Sequence, residues 1–142
     1  GGGGYHLELQ RHLQALGLER HARLLGAISA AEVRRHLLAA DVFALASWHE
    51  PLGVAYMEAM ACEVPTIGTD AGGVRELITH GETGMLVPPQ SPEALADAIA
   101  ALAADRDLCA RLSKAGRAHV VAGFRASLGA EALIAGMQRV VD

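Results

Sequence analysis

Short apolar runs of strand length alternate along the chain with stretches whose apolar residues recur at helical spacing. In "YHLELQRHLQALG", Leu9, Leu13 and Leu16 recur this way, and Gly17 stands at the end as a C-cap. The run "ARLLGAI", from Ala22 to Ile28, is short and apolar and predicts a strand. Ser29 is placed to cap a helix over "AAEVRRHLLAA", with Glu32 completing a capping box. "DVFALAS" loses its charge after Asp41 and predicts a strand buried on both faces. "VAYMEAMAC" predicts a short helix. "VPTIGT" predicts a further strand with Pro65 at its start, where a missing N–H costs least.

Beyond it, "DAGGVRELI" gives a glycine corner and one or two helical turns, and "HGETG" a turn. "MLVPP" is a short strand closed by prolines. Ser91, Pro92 and Glu93 present cap, first-position proline and acid in order. They open a helix whose stripe is Ala94, Leu95, Ala98, Ile99 and Leu102. Two more helices are predicted, roughly over 107–121 and 126–141, the last carrying Leu133, Met137 and Val140. Strands alternating with helices, the strands continuously apolar, predict an α/β fold with a doubly wound, Rossmann-like parallel sheet. No linker or repeat divides the chain, so residues 1–142 are read as one unit, its last helices packing elements of the same domain.

At 142 residues the chain is long enough for a real core. It is 51% hydrophobic but only 4% aromatic, so that core must come from Ala, Leu, Val and Ile. The net charge is −4 and no basic stripe appears, which excludes a nucleic-acid partner. No run is apolar for long enough to span a membrane or to resemble a signal peptide. Cys62 and Cys109 lack CxxC spacing, so neither a zinc site nor a disulfide is expected, and both read as small core residues in a reducing cytoplasm.

Ligands of such sheets sit at the carboxyl ends of the strands, in loops that lead into helices. Three such loops carry glycine: "GGGG", with Gly2, Gly3 and Gly4; "HEPLG", ending at Gly53; and "DAGG", with Gly72 and Gly73. Glycine lets the backbone approach a ligand, and the first N–H groups of the next helix favour an anion. Gly53, Val54 and Ala55 therefore form a candidate phosphate site. Glu50 lies in the loop before it, and Glu58 one turn into the helix. Two carboxylates repel phosphate, but they accept hydrogen bonds from pairs of hydroxyls. The combination suits a molecule with phosphate in the middle and sugars at both ends.

The plainer readings are a solvated pair of acids and, at Gly72 and Gly73, a simple tight turn. His49 has no second histidine at ligand spacing, so no metal site is read there. "GGGG" makes a poor dinucleotide fingerprint, because no strand precedes it and Leu7 stands where a third glycine belongs. That excludes an oxidoreductase. Trp48 either stacks on a ligand or plugs the loop.

The segment "ADVFALASWHEPLGVAYMEAMACEVPTIGTDAGGVRELITHGETGMLVPP" resembles the carboxyl-terminal, donor-binding domain of the GT-B-type retaining glycosyltransferases, group 1 or family 4. The resemblance extends from about residue 1 to at least residue 116. Its core is the pair Glu50 and Glu58 with seven residues between them, in order with "EPLG", "EAMA" and "TG.LVPP". It implies that Glu50, the candidate catalytic residue, contacts hydroxyls of the donor sugar. It also implies that the amides of Gly53, Val54 and Ala55 approach the sugar and diphosphate, and that Glu58 binds the ribose. Glu76 matches a frequent acid of unassigned role. No cofactor and no protein-bound metal are implied.

The chain also departs from that pattern. The first two strands and a helix of the family's domain are expected to be absent, and with them an Arg/Lys pair for the diphosphate, leaving Arg75 as the only nearby cation. The missing strands would lie between "ARLLGA" and "DVFALAS". Those two runs would then pair directly, leave a gap, or be completed by another chain or another copy. "GFRASLGAEAL" keeps Phe124 but lacks the family's following Trp. The resemblance thus implies a nucleotide-sugar-binding part of a transferase, inactive alone, cytoplasmic or peripheral to the inner membrane face, completed by an amino-terminal domain or partner chain. A non-catalytic binding fragment, a split-enzyme subunit, and a related epimerase or phosphorylase are the rival readings. The last is disfavoured because Lys114, the only lysine, lies far from the donor loops.

Overall fold

The computed structural model describes residues 3–48 and 53–125. Gly2, His49, Glu50, Phe124's side chain and the helix predicted over 126–141 lie outside the described part. In chain order the elements are α1 (Gly3–Ala15), α2 (Ala30–Leu38), β1 (Phe43–Leu45), α3 (Val54–Ala61), β2 (Thr66–Thr69), α4 (Val74–Leu77), β3 (Met85–Val87), α5 (Pro92–Ala104) and α6 (Arg106–Arg125). The strands form one parallel sheet in the order β1-β2-β3. Phe43 lies opposite Thr66 and Leu45 opposite Gly68, while Ile67 pairs with Met85 and Thr69 with Val87.

The pleat divides the core. Phe43, Leu45 and Leu86 turn to one face, where Tyr56, Met57 and Met60 of α3 pack with Val74, Ile78 and Val120. Ile67, Met85 and Val87 turn to the other, against Ala98 and Leu102 of α5 and Leu112 of α6. Helices therefore cover both faces, as continuous apolar strands require. A third cluster joins α2 to α3 through Leu37, Ala59 and Val64. The expected start signals are present: Ser29 and Glu32 bond reciprocally in a capping box, and Ser91 caps α5 with Pro92 at its first position. Asp105 accepts from the Leu108 N–H at 2.8 Å and so starts α6 slightly ahead of the expected position.

Three expectations need correction. "ARLLGAI" is not a strand: residues 22–28 have no sheet partner, and Gly26 at φ +67° breaks the extended geometry a strand needs. Among the described residues β1 is therefore the sheet's edge, and the strand expected to be buried on both faces leaves Ala44 exposed. Gly3 and Gly4 do not form a loop ahead of a helix; they are the opening residues of α1 itself. Leu9 of that helix and Leu16 just beyond its end are exposed. Among the described residues, no helix is long and apolar enough to cross a membrane.

Candidate functional site at the carboxyl ends of the strands

The carboxyl end of β1 is fixed from two sides. The Tyr56 hydroxyl donates to the Leu45 carbonyl at 2.6 Å and the Thr69 hydroxyl reaches the same oxygen at 3.4 Å. Tyr56 is fully buried and meets Phe43 edge-on, ring centroids 5.9 Å apart. One carbonyl thus ties β1 to the first turn of α3 and to the end of β2. Sequence reasoning missed this pair of anchors; the only signal was a lone tyrosine in an otherwise aliphatic helix.

Gly53 begins α3 in the left-handed conformation, φ +69° and ψ +31°. It is buried, and a Cβ there would run into the Leu77 Cδ1 of α4. Glycine is required twice over, for the backbone angle and for the approach of α4. Having no side chain, Gly53 cannot cap the helix, and the first turn of α3 holds no acid. The mouth of α3 therefore carries the positive end of the peptide dipoles with no carboxylate in its first turn. Val54 is exposed there and Ala55 half-buried.

Glu58 lies five positions into α3 counting from Val54. Tyr56, Met57 and Met60 are spent on the sheet and α6, and Ala59 on α2. Glu58 is left half-buried on the remaining face with Ala55 and Cys62. Helical side chains lean toward the N-terminus, so this carboxylate leans toward the Gly53 mouth. Among the described residues no ion pair holds Glu58. At the far end of α3, Arg117 donates to the Ala61 carbonyl, fastening the helix to α6. The Cys62 thiol has its pKa raised, first by burial; Arg34 and Arg117 pull it down and Glu58 pushes it further up.

The loop after β2 turns through Gly72, at φ +60°, into α4, whose N-cap is Gly73 at an ordinary φ of −71°. Only Gly72 uses glycine's freedom. Arg75, expected as the nearby cation, is paired through its Nε and Nη2 with the two carboxylate oxygens of Asp70. That hydrogen bond is the first cause of its raised pKa. Its charge is therefore already engaged before any ligand arrives. Glu76 is exposed, and its backbone carbonyl lies 3.4 Å from His119 Nε2.

On the other side of the strand ends lies a cavity of about 170 Å³, lined by Ser47 and Trp48 after β1, Thr69 of β2, and Val87, Gln90 and Leu95 around the start of α5. Of the expected site residues the structure brings Gly53, Val54, Ala55 and Glu58 together on one helix, with Gly72 and Gly73 on the next loop. Gly3 and Gly4 belong to α1 and are not part of this group. Among the described residues no cluster of His, Cys, Asp or Glu could hold a metal ion.

Comparison with known proteins accounts for this arrangement. The family model for glycosyl transferases group 1 matches residues 1–119. A GDP-mannose-dependent alpha-(1-6)-phosphatidylinositol monomannoside mannosyltransferase of Mycobacterium tuberculosis is 36% identical over 87% of this chain and 34% of its own length. An alpha-maltose-1-phosphate synthase of the same organism is 38% identical over 66% of this chain and 26% of its own length. Among solved structures, sucrose-phosphate synthase from Thermosynechococcus elongatus superposes with a TM-score of 0.81 at 34% identity, over 86% of this chain and 31% of that one. Anabaena HepE in complex with UDP-glucose gives 0.81 at 29% identity, over 99% and 36%. The chain thus spans about a third of the length of these relatives. A parallel sheet covered by helices on both faces and a family match across most of the sequence leave one assignment: this chain belongs to the group 1 glycosyltransferases, with the fold of the carboxyl-terminal half of a GT-B enzyme.

Proposed function

We propose that residues 1–142 form the donor-binding part of a retaining glycosyltransferase, which moves a sugar from a nucleotide diphosphate sugar to a saccharide or lipid-linked acceptor. The observation that carries this reading is the Gly53 mouth: a left-handed, buried glycine opens α3, and Glu58 stands half-buried one turn further along the same helix, where the Cα–Cβ bond tilts toward the helix N-terminus. The first N–H groups of α3 take the diphosphate, Glu58 takes the ribose hydroxyls, and Glu50 is assigned to the hydroxyls of the transferred sugar. Gly72 and Gly73 line the neighbouring loop. The reading calls for no cofactor and no protein-bound metal, and it places the reaction in the cytoplasm, where the full enzyme would be free or peripheral to the inner membrane face.

Departure of the nucleotide diphosphate needs positive charge at the phosphates. Arg75 forms an exposed ion pair with Asp70, and the further positive charge is assigned to the amino-terminal domain or partner chain. Alone the chain is therefore expected to bind donor without turning it over. Calorimetry with UDP, GDP, UDP-glucose and GDP-mannose tests this directly. Saturable binding of at least one, weakened roughly tenfold in Glu58→Gln, supports the reading, since a hydrogen bond to a charged group is worth about 1.5–3 kcal/mol. Binding unaffected by Glu58→Gln would overturn the ribose role.

A second form of the same reading is a subunit completed by a separate chain. Turnover restored by adding an amino-terminal domain would identify it. Turnover by the chain alone would contradict both.

A further inference from the structure

The cavity at the strand ends is not used by the donor reading, which occupies the Gly53 side. We infer that this cavity is a subsite for a six-membered hydroxylated ring, a pyranoside or cyclitol of the acceptor. All three strands deliver residues to it at their carboxyl ends: Ser47 and Trp48 beyond β1, Thr69 at the end of β2, and Val87 at the end of β3. That is where ligands of parallel sheets bind.

Its chemistry is that of a ring-binding site. Trp48 is 77% exposed, so it does not plug the loop into the core; its indole lines the cavity as an open platform. An indole face suits the axial C–H face of a sugar or inositol ring, and Val87 and Leu95 extend the apolar wall. The Thr69 and Ser91 hydroxyls are engaged with the Leu45 carbonyl and the Ala94 N–H. The Ser47 hydroxyl and the Gln90 amide remain as polar groups at the rim for ring hydroxyls. Gln90 holds φ +56°, a conformation that side-chain-bearing residues rarely adopt, and this sets its place beside the cavity. At about 170 Å³ the cavity is smaller than the roughly 300–1,000 Å³ of sites for drug-sized ligands, so it has room for one ring and not for a nucleotide.

The assignment to an acceptor rests on the transferase reading above; the binding of a ring does not. Trp48 is the single tryptophan of the chain, so tryptophan emission, excited at wavelengths that Tyr5 and Tyr56 do not absorb, reports this site. The intact chain is titrated with methyl α-mannopyranoside, methyl α-glucopyranoside and myo-inositol, and separately with UDP and GDP. A saturable change with a millimolar Kd for at least one ring compound is expected, and which compound gives it separates pyranoside from cyclitol. By saturation-transfer NMR, Trp48→Ala should weaken that binding roughly tenfold and Trp48→Phe less, with circular dichroism unchanged because the indole is outside the core. Gln90→Ala should weaken it severalfold.

No saturable change with any of the three, or equal binding in Trp48→Ala, overturns the proposal. If nucleotides bind while all three rings fail, the donor reading survives without this subsite. If a ring binds while nucleotides fail, the subsite stands and the donor reading falls.

Discussion

Replacing Gly53 by alanine tests the geometry of the α3 mouth. At φ +69° an L-residue is strained, by about 1–2 kcal/mol. The added Cβ also meets the Leu77 Cδ1, the far end of a side chain packed against the cluster of Tyr56, Met60 and Val74. Leu77 can turn away, but only by leaving its rotamer, for about 0.5–1.5 kcal/mol. The sum is a loss of about 1.5–3.5 kcal/mol, read as a lowered urea midpoint at unchanged slope. The two contributions separate in a double-mutant cycle with Leu77→Ala. Removing the leucine side chain relieves the clash but not the backbone strain, so the double variant should lose about 1 kcal/mol less than the two singles added. A Gly53→Ala protein within about 0.5 kcal/mol of the parent, or strictly additive variants, would refute the left-handed, closely packed mouth.

Gly68→Ala puts a Cβ 2.8 Å from Val74 Cγ1, 3.0 Å from Tyr56 Cε1 and 3.1 Å from Ile78 Cδ1, so thermal unfolding should show a loss of about 1–3 kcal/mol. Tyr56→Phe keeps the ring and removes the bond to the Leu45 carbonyl, and about 1 kcal/mol should go with it in denaturant titration. Cys62 and Cys109 both have pKa values raised first by burial, so the native chain keeps thiol protons that the unfolded chain gives up. Their contribution is fully present below the ordinary thiol pKa and is lost as pH rises through the raised one; stability should therefore fall above about pH 9, and less so in Cys62→Ala. For Glu32 the shift runs the other way, lowered first by the Ser29 side-chain bond, so helix content of α2 should weaken as pH falls below the ordinary glutamate value, and Ser29→Ala should reduce that dependence in amide-exchange measurements, the backbone bond to Glu32 remaining.

The fold class was legible because the strands are short uncharged runs and two of the helices announce their starts. Ser29 with Glu32, and Ser91 with Pro92, mark boundaries by local chemistry that needs no tertiary partner. "ARLLGAI" misled for the opposite reason. An apolar run becomes a strand only when another strand supplies its ladder, and nothing in residues 22–28 says whether that neighbour is present. β1 correspondingly leaves Ala44 exposed.

At the site, Gly53 and Glu58 could be read from spacing because a glycine corner and an acid on the next helix turn are local features. The Tyr56 and Thr69 hydroxyls meeting on one carbonyl could not, since they come from residues 13 positions apart joined only through the sheet. Nor could the pairing of Arg75 with Asp70, five residues earlier, be told from a free cation by composition. The side of the loop that Trp48 takes depended likewise on where β3 and α5 deliver Gln90 and Leu95.

Amide chemical-shift mapping of the isotopically labelled chain with UDP-glucose and GDP-mannose bears most directly on the claim that the α3 mouth holds a nucleotide diphosphate sugar. The largest saturable shifts should fall on Gly53, Val54, Ala55 and Glu58, with Gly72 and Gly73 next, and should shrink in Glu58→Gln. Shifts confined to other surfaces, or none with either donor, would contradict it.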